Sequence, residues 1–419
     1  MSKNSSSDNK KLPVESYKGV RDFYPEDQAF MNFLTTVMRD TVERFGYAEY
    51  HASVLEPAEL YRRKTSEEIV NEQTYTFTDR GGREVTLRPE MTPTVARMVA
   101  KKRREFGFPL RLYSIPNVFR YERPQRGRLR EHWQLNVDLF GSKSIEADAE
   151  VITVAHALMT AFGASENDFV IKIGSRNFLN ALSKELKLGE DDAKKLFGLI
   201  DRRAKLAAAD FKKELDDLGI AAEMLEAKQV PEDAAKVLEI LKGRGIQNAA
   251  FAPEIVRGFD YYSGIVFEVF DQHPLNSRSL FGGGRYDNLT ALFDENQVPG
   301  VGFGMGDVTM RDFLEVRGWL PPYEPRAKVY IAVSSPSMVA RASSLAAALR
   351  EQNIAAAVDF GEKKLGDQIK AATKHKIPYV IVVGEDEAAS GVYAVKNLAT
   401  GEERKKSESE LAAFFLNGN

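Results

Sequence analysis

Residues 133–140 read Trp-Gln-Leu-Asn-Val-Asp-Leu-Phe, and apolar and polar side chains alternate strictly from residue 133 to residue 139. Successive side chains of a β-strand point to opposite faces, so Gln134, Asn136 and Asp138 are predicted to share one face. Gln, Asn and Asp are poor strand formers, and exposed strand positions usually carry Thr, Lys or Arg. We interpret the polar face as the floor of a cleft in an antiparallel sheet, with a solvated sheet edge as the alternative.

The segment before this strand is strongly basic. Residues 97–130 contain eleven Lys or Arg and two acids, a local charge of +9 in a chain whose formal net charge is −3. Within it, residues 119–130 read Phe-Arg-Tyr-Glu-Arg-Pro-Gln-Arg-Gly-Arg-Leu-Arg, and the Pro and Gly predict a long hairpin loop. So many arginines favour a phosphate-binding arm, with a plain solvated loop as the alternative.

Three other stretches are rich in glycine or in charged and aromatic residues. They are Arg-Gly-Phe-Asp-Tyr-Tyr at 257–262, Phe-Gly-Gly-Gly-Arg-Tyr-Asp at 281–287 and Gly-Phe-Gly-Met-Gly at 302–306. Glycine lets a backbone approach a ligand closely, which makes each stretch a candidate for ligand contact. None of them fits a Walker loop or the dinucleotide-binding fingerprint.

The chain before residue 319 mixes helices and short strands. Helices are predicted over 30–45 (ending near Gly46), 93–104 and 145–162, and residues 165–250 are predicted to be mainly helical. Strands are predicted over 74–78 and 83–88 as a hairpin, and over 111–114, 118–121, 263–270 and 278–282. The glycines at 282–284 are expected to interrupt the last of these strands.

A Pro-rich linker at 319–325 precedes a different pattern. Strands at 329–333, 355–360, 379–383 and 392–397 alternate with helices at 338–350 and 365–374, followed by a terminal helix. Such alternation predicts a small α/β domain with a largely parallel sheet. We therefore predict a disordered tail at 1–12, a main domain at 13–325 with a helical insertion at about 170–250, and a second domain at 326–419.

Composition excludes several classes of chemistry. The 419 residues include no cysteine, which rules out disulfides, thiolate catalysis, iron–sulfur clusters and cysteine-based zinc sites. The five histidines are scattered, so we predict no metal site made by protein side chains. No apolar run approaches the ~18 residues of a membrane span, and the N-terminus lacks a signal or transit pattern. The sequence therefore predicts a cytoplasmic protein without a membrane partner.

Taken together, the motifs resemble those of class II aminoacyl-tRNA synthetases, and among them the histidyl-tRNA synthetase family. The resemblance extends from about residue 18 to the C-terminus and is carried by residues 87–92 (Leu-Arg-Pro-Glu-Met-Thr), 119–125, 257–262 and 283–287. It implies an α/β (α+β) protein: a class II catalytic domain built on an antiparallel sheet flanked by helices, with a helical insertion and a C-terminal α/β anticodon-binding domain.

The resemblance also implies a reaction and its partners. ATP and Mg²⁺ would activate L-histidine to the adenylate with release of pyrophosphate, and histidine would then pass to the 3′ end of tRNA(His). The protein is expected to be a homodimer, supported by the helix at 30–45, and not to bind DNA.

Roles for individual residues follow from the same resemblance. The residues implied to bind histidine are Glu90, Thr92, Gln134, Asp138, Tyr261, Tyr262, Gly283 and Tyr286. Those implied to bind ATP are Arg120, Glu122, Arg257, Gly304 and Gly306, with Arg120 and Arg257 as the catalytic pair. Arg126, Arg128 and Arg130 are implied to contact the acceptor end of the tRNA.

One position departs from the family pattern. The third class signature normally has an arginine three residues after its last glycine, where this chain has Thr309. Arg311 is two residues further, about 200° around a helix, so it cannot simply replace that arginine. Either a subgroup does without the contact to the ATP tail, or another cation provides it, or ATP binds weakly.

Two other functions remain open on sequence grounds. A synthetase-like chain can be a non-catalytic regulatory subunit or a tRNA sensor, and Thr309 gives this alternative some support. A class II enzyme for threonine, glycine or proline is a third possibility, against which the stretch at 257–262 argues.

Overall fold

The computed structural model describes residues 11–62, 73–123, 127–203, 206–221, 225, 229–256, 261–276 and 278–416. The chain divides between Pro321 and Pro322 into two compact units. Most of the predicted tail, residues 1–10, lies outside the described residues. No helix in the described part of the chain is long and apolar enough to cross a membrane.

The first unit combines one large sheet with helices and a small separate sheet. Its strands are β1 (Ala48–Glu49), β2 (Leu55–Pro57), β3 (Tyr75–Thr78), β4 (Glu84–Leu87), β5 (Leu110–Ser114), β6 (Asn117–Phe119), β7 (Glu131–Phe140), β8 (Phe169–Ser175), β9 (Ala249–Phe251), β10 (Ile265–Asp271), β11 (Ser279–Arg285) and β12 (Gly300–Gly306). Its helices are α1 (Pro25–Arg44), α2 (Glu59–Arg62), α3 (Thr92–Lys102), α4 (Ile145–Ala161), α5 (Arg176–Glu185), α6 (Glu190–Arg202), α7 (Ala208–Asp217), α8 (Glu232–Gly243) and α9 (Asp307–Glu315).

The large sheet runs in the order β1-β5-β7-β12-β11-β10-β8-β9, with β6 paired to β7 off this path. All pairs from β5 to β8 are antiparallel, and only the outermost pairs, β1 with β5 and β8 with β9, are parallel. The predicted antiparallel sheet flanked by helices is therefore confirmed. Since β7 lies between β5 and β12, the alternative of a solvated edge at residues 133–140 is wrong.

Helix α1 covers the apolar face of this sheet. A proline at its first turn, Glu26 and Asp27 beside the N-terminus, and Gly46 at φ +81° after its end define the helix. The apolar side chains at helical spacing pack into the core shared with β7, each contributing about 1.5–3 kcal/mol. They are Phe30, Met31, Leu34, Met38 and Val42.

Residues 165–250 are mainly helical, as predicted, but they do not form one unit. Helices α5, α6 and α7 share their own apolar cluster, whereas α8 packs into the main core through Ala234, Val237 and Leu241. The segment Phe169–Ser175 is a strand of the large sheet, which the prediction missed. Its alternating buried positions and β-branched residues favour a strand between two others.

The glycines at 282–284 do not interrupt a strand, so that prediction is wrong. All three lie within β11, paired with β12 on one side and β10 on the other. A Cβ on Gly283 would lie 1.9 Å from the carbonyl oxygen of Gly302, which only glycine avoids. Low strand propensity is overridden here by the close approach of neighbouring backbones.

The second unit is a small α/β unit, as predicted. Its strands are β13 (Val329–Val333), β14 (Ala356–Val358), β15 (Tyr379–Val383), β16 (Val392–Asn397) and β17 (Glu403–Ser407), and its helices are α10 (Val339–Glu351), α11 (Leu365–Lys374), α12 (Glu385–Ser390) and α13 (Glu408–Leu416). The sheet order is β14-β13-β15-β16-β17. Only β14, β13 and β15 are parallel, so the sheet is mixed rather than largely parallel. The polar strand β17, which follows a turn and pairs antiparallel with β16, was not recognised in the sequence.

Candidate active site

The floor of the candidate site is built where β7 lies beside the glycines of β12. The strand register pairs Asp138 with Gly302, Asn136 with Gly304 and Gln134 with Gly306. Directly opposed residues share a face of the sheet, so each polar side chain has a glycine beside it. At these glycines the surface of β12 is formed by backbone, beside the polar side chains of β7, and this region is called the groove below.

The groove depends on the absence of side chains from β12. A Cβ on Gly302 would lie 2.5 Å from Oδ1 of Asp138 and 2.9 Å from the hydroxyl of Tyr286. A Cβ on Gly304 would lie 2.8 Å from the amide of Gln134. The third glycine cluster therefore makes room beside the polar face, which explains why both motifs occur in one chain.

The carboxylate of Asp138 is the most unusual group on this floor. It is 2% exposed, and its Oδ1 accepts a hydrogen bond from the hydroxyl of Tyr286. Its Oδ2 is buried and accepts no hydrogen bond from any residue described. Burial raises the pKa of Asp138 to about 7, although the Tyr286 hydrogen bond opposes this shift. An unsatisfied buried acceptor is rare in native proteins and points to a donor supplied by a ligand.

One wall of the groove joins residues far apart in the sequence. The hydroxyl of Tyr261 donates to Oε2 of Glu90 at 2.9 Å and lies beside Thr92. The Tyr261 ring packs 4.9 Å from the ring of Tyr262 and 5.9 Å from that of Tyr286. Burial raises the pKa of Tyr261 well above its ordinary value, so its hydroxyl remains a donor. The structure thus brings together Glu90, the tyrosines at 261 and 262, and Tyr286.

Arg120 lies just after β6, at the start of the basic loop. Its backbone N–H donates to the carbonyl of Arg130 at 2.8 Å, and its Nε donates to the carbonyl of Pro89 at 2.9 Å. Among the described residues no acceptor meets its two terminal nitrogens. The guanidinium is thereby anchored next to Glu90 while its fork remains available for an anion.

His132 was missed by the sequence analysis and belongs to the same floor. Burial, and then the charges of Arg120 and Arg21, lower the pKa of His132 to about 3, so the ring is neutral. A Cβ on Gly306 would lie 3.9 Å from Cδ2 of this ring. Continuing the alternation of β7 back by one step places residue 132 on the polar face, and this signal was available in the sequence.

The predicted tRNA-contacting arginines have different surroundings. Arg128 is half exposed, and its Nη1 donates to Glu122 at 3.3 Å. Arg130 is 9% exposed, donates to the hydroxyl of Tyr17 at 2.9 Å and covers the ring of Tyr121 at 4.0 Å. Arg130 therefore braces the base of the loop, and its burial argues against the predicted contact with RNA. Arg126 and Arg257 lie outside the described residues.

Two residues of the stretch at 283–287, Gly283 and Arg285, contact the core and α4 rather than the groove. Gly283 pairs with Phe303, whose ring lies in the apolar core on the other side of the sheet from Asp138. Arg285 is buried and pairs with Asp148 on α4 at 2.5 Å, and its Nη1 donates to the carbonyl of Ser142 at 2.9 Å. The motif thus also fastens the sheet to α4.

Replacing Arg285 by Met is expected to destabilise the fold by about 3–5 kcal/mol, because it leaves the Asp148 carboxylate buried without its charge partner. Urea unfolding followed by circular dichroism measures this change. The double variant Arg285→Met/Asp148→Leu is expected to recover much of the loss. A loss below about 1 kcal/mol in the single variant would contradict a fastening role.

Thr309 and Arg311 face different neighbours. The Thr309 hydroxyl donates to the carbonyl of Leu280 at 2.7 Å, at the start of β11. Arg311 pairs with Asp27 at 3.2 Å and covers the ring of Phe30 at 5.2 Å, both on α1. As the helical angle predicts, Arg311 is not directed toward the side on which Thr309 lies.

The described residues contain no group of three or more His, Asp or Glu placed to hold a metal ion.

Comparison with known proteins agrees with the motifs. The sequence model described as Histidyl-tRNA synthetase matches residues 19–307, and the one described as Anticodon binding domain matches residues 328–417. A histidine–tRNA ligase of Leptospira biflexa is 42% identical over 422 residues, covering 96% of this chain and 97% of the relative. A histidine–tRNA ligase of Thermoplasma volcanium is 34% identical over 427 residues, covering 96% and 99%.

The fold agrees as well. The crystal structure of histidyl-tRNA synthetase from Nostoc sp. PCC 7120 superposes with a TM-score of 0.79 at 22% identity, covering 97% of this chain and 100% of that one. This likeness supports the fold, while the family model and the Leptospira and Thermoplasma relatives carry the assignment. The chain belongs to the histidyl-tRNA synthetase family.

Proposed function

We propose that this protein is a histidine–tRNA ligase, which forms histidyl-adenylate from L-histidine and ATP and transfers histidine to the 3′ end of tRNA(His). The observation that carries the proposal is Oδ2 of Asp138, a buried acceptor without a donor at the floor of a glycine-lined groove. An imidazole ring N–H is a donor of the right kind for this oxygen, and its bond would fix one tautomer of the ring.

The histidine pocket is proposed to read both ends of the amino acid. Asp138 accepts the ring N–H, and Tyr262 closes the other side of the ring. Glu90, Thr92 and Gln134 hold the α-amino group, while Tyr261 and Tyr286 orient the two carboxylates. Analogues without ring nitrogens leave Asp138 unpaired, which disfavours their binding strongly.

The first chemical step joins two anions. The histidine carboxylate attacks the α-phosphorus of ATP, and two unit charges ~4 Å apart repel by about 4 kcal/mol at an effective dielectric of ~20. We propose that Arg120, with Arg257, binds the oxygens of the developing pentacoordinate phosphate more strongly than those of the ground state. The carbonyl of Pro89 holds Arg120 in place for this role.

ATP is proposed to lie along β12, over Gly304 and Gly306, with Glu122 near its nucleoside. Mg²⁺ bound together with the nucleotide would supply positive charge that stabilises the leaving pyrophosphate. The neutral ring of His132 provides a flat, uncharged surface next to Arg120. No covalent enzyme intermediate is required, because in-line displacement depends on positioning and charge.

Recognition of tRNA(His) is proposed to use both units. Arg126 and Arg128 of the basic loop reach the acceptor end, whereas Arg130 remains at the base of that loop. The domain at 326–419 binds the anticodon, and the domain at 13–325, with its insertion at about 170–250, is catalytic. Phosphate contacts make this binding sensitive to salt. The site of action is proposed to be the cytoplasm.

The protein is proposed to be a homodimer, with α1 near the interface. Light scattering at micromolar concentration is expected to give twice the mass of one chain. A monomeric mass over the range 1–50 μM would contradict this assembly.

The test of the function is ATP–pyrophosphate exchange measured with each of the twenty amino acids. We expect exchange with histidine alone. Exchange with another amino acid would assign the chain to a different substrate. A complete lack of exchange, in protein that is folded by circular dichroism, would instead favour the non-catalytic regulatory subunit or tRNA sensor.

A further inference from the structure

In the family pattern an arginine contacts the polyphosphate tail of ATP, and this chain has Thr309 at that position. The residue that binds the tail in this chain is therefore not given by the pattern. The Thr309 side chain does not extend into the groove. Its hydroxyl donates to the carbonyl of Leu280 at 2.7 Å and to that of Gly306 at 3.2 Å. The first turn of α9 is thereby tied to the beginning of β11.

Another arginine, Arg278, lies close to this contact. Strands β11 and β12 are antiparallel and pair Phe281 with Met305. Continuing that register by three residues brings Arg278 opposite the first turn of α9, immediately before β11 begins. Arg278 is exposed, so its guanidinium can reach a bound ligand.

Arg278 also lies against the basic loop. A Cβ on Gly127 would be 3.7 Å from Nη1 of Arg278 and 3.9 Å from Oδ2 of Asp312, so both groups border the same point of the loop. A guanidinium has five N–H donors, so it can make more than one hydrogen bond at a time. Arg278 therefore borders the basic loop at Gly127.

The nearby cations are less suited to the task. Arg311 covers a ring of α1 and pairs with Asp27. Arg21 pairs with the buried carboxylate of Asp307 at 2.6 Å, and that carboxylate also accepts the backbone N–H of Trp133 at 2.9 Å. Moving Arg21 onto a phosphate would leave Asp307 buried without its charge partner, which is strongly unfavourable.

We propose that Arg278 binds the polyphosphate tail of ATP in this chain and takes the place of the arginine missing at position 309. The inference rests on the proposed function. In this proposal the positive charge that binds the leaving pyrophosphate comes from the residue before β11. In the family pattern it comes from an arginine on the helix that corresponds to α9. A planar fork suits this role because it binds two phosphate oxygens at once.

The experiment compares Arg278→Ala with Arg311→Ala in histidine-dependent ATP–pyrophosphate exchange, with ATP and histidine varied separately. Losing a charged hydrogen-bonding group should raise the KM for ATP about 10- to 100-fold. The KM for histidine should stay within about twofold. Arg311→Ala should leave the KM for ATP unchanged. The double variant Arg278→Ala/Thr309→Arg, which returns an arginine to the usual position, should lower the KM for ATP again.

The outcomes separate this inference from the proposed function. If the unsubstituted chain shows no histidine-dependent exchange, the proposed function fails. If it does, an unchanged KM for ATP in Arg278→Ala overturns only the role of Arg278. An equal rise in both KM values, or a double variant no better than Arg278→Ala, also overturns it. Thermal unfolding of each variant and calorimetric titration with ATP, in the absence of histidine, accompany the exchange assay.

Discussion

Asp138→Asn is expected to abolish histidine activation while making the ligand-free protein more stable at pH 8. The Asn amide oxygen can still accept from Tyr286, but its NH₂ group then faces the imidazole N–H, and two donors repel each other. Since a site built to pair with a polar group discriminates by about 10⁴-fold, we expect a loss of that order in kcat/KM for histidine.

The gain in stability follows from the raised pKa of Asp138. The folded state holds this proton up to about pH 7, whereas the unfolded chain releases it near the ordinary value of 3.8. The unfolded state therefore binds fewer protons between these values, and the free energy of unfolding falls as the pH rises through this window. Three pKa units correspond to at most about 4 kcal/mol, all of it lost above pH 7. Asn avoids this loss.

Thermal unfolding at pH 4 and pH 8 checks this prediction. The variant and the unsubstituted chain should unfold at similar temperatures at pH 4, and the variant should be more stable at pH 8. Asp294→Asn is the matched control: hydrogen bonds from Asn296, and then Arg103, lower the pKa of Asp294 to about 2, so its loss should be slightly destabilising at pH 8. Asp138→Asn with lower stability at pH 8, or with an unchanged KM for histidine, would contradict the proposed pocket.

Arg120→Ala is expected to reduce histidine-dependent pyrophosphate exchange about 10²- to 10³-fold, mostly in kcat, because a preorganised charge at the transition state is lost. Arg120→Lys keeps a charge but not the fork or the Nε bond to Pro89, so it should recover only part of the rate. Histidine binding in the absence of ATP, measured by calorimetry, should change little.

Arg103→Ala serves as the comparison for this series. Arg103 belongs to the same basic stretch but pairs with Asp294 at 3.1 Å, and it follows the last residue of α3, whereas Glu90 precedes the first. We expect nearly unchanged exchange. Equal losses in Arg103→Ala and Arg120→Ala would mean that the basic region acts through its overall field rather than through one guanidinium at the phosphorus.

Local pattern was sufficient for several features of the fold and the site. Alternation along residues 133–140 identified the polar face, and helical spacing identified α1. Both signals lie within a single element, where side-chain periodicity reports burial directly. The order of the strands and the depth of the groove depend on which strand lies beside which, and no single segment contains that information.

The errors have the same origin. From the sequence alone, the glycines of β11 look like a strand break. In the structure β12 lies so close that a Cβ on Gly283 would be 1.9 Å from the carbonyl oxygen of Gly302, which explains the glycine. The segment Phe169–Ser175 looks like part of a helical region until it is paired with β10. In both cases the decisive neighbour is distant in the sequence. His132 is a different case, because the alternation of side chains along its own strand predicts its position. It was missed because the predicted strand began at residue 133, whereas β7 begins at Glu131.

The glycine-lined side of the groove has a consequence for attempts to change which amino acid is accepted. Side chains can rotate to admit a larger guest, but the β12 surface consists of main chain fixed by hydrogen bonds to β7 and β11. Any residue with a Cβ at Gly302 would collide with the carbonyl oxygen of Val137 at 2.4 Å and with Oδ1 of Asp138 at 2.5 Å. Redesign of the pocket must therefore change Asp138 and the tyrosines on the other side of the groove. The pairing of β7 with β12 thus limits which amino acids can bind.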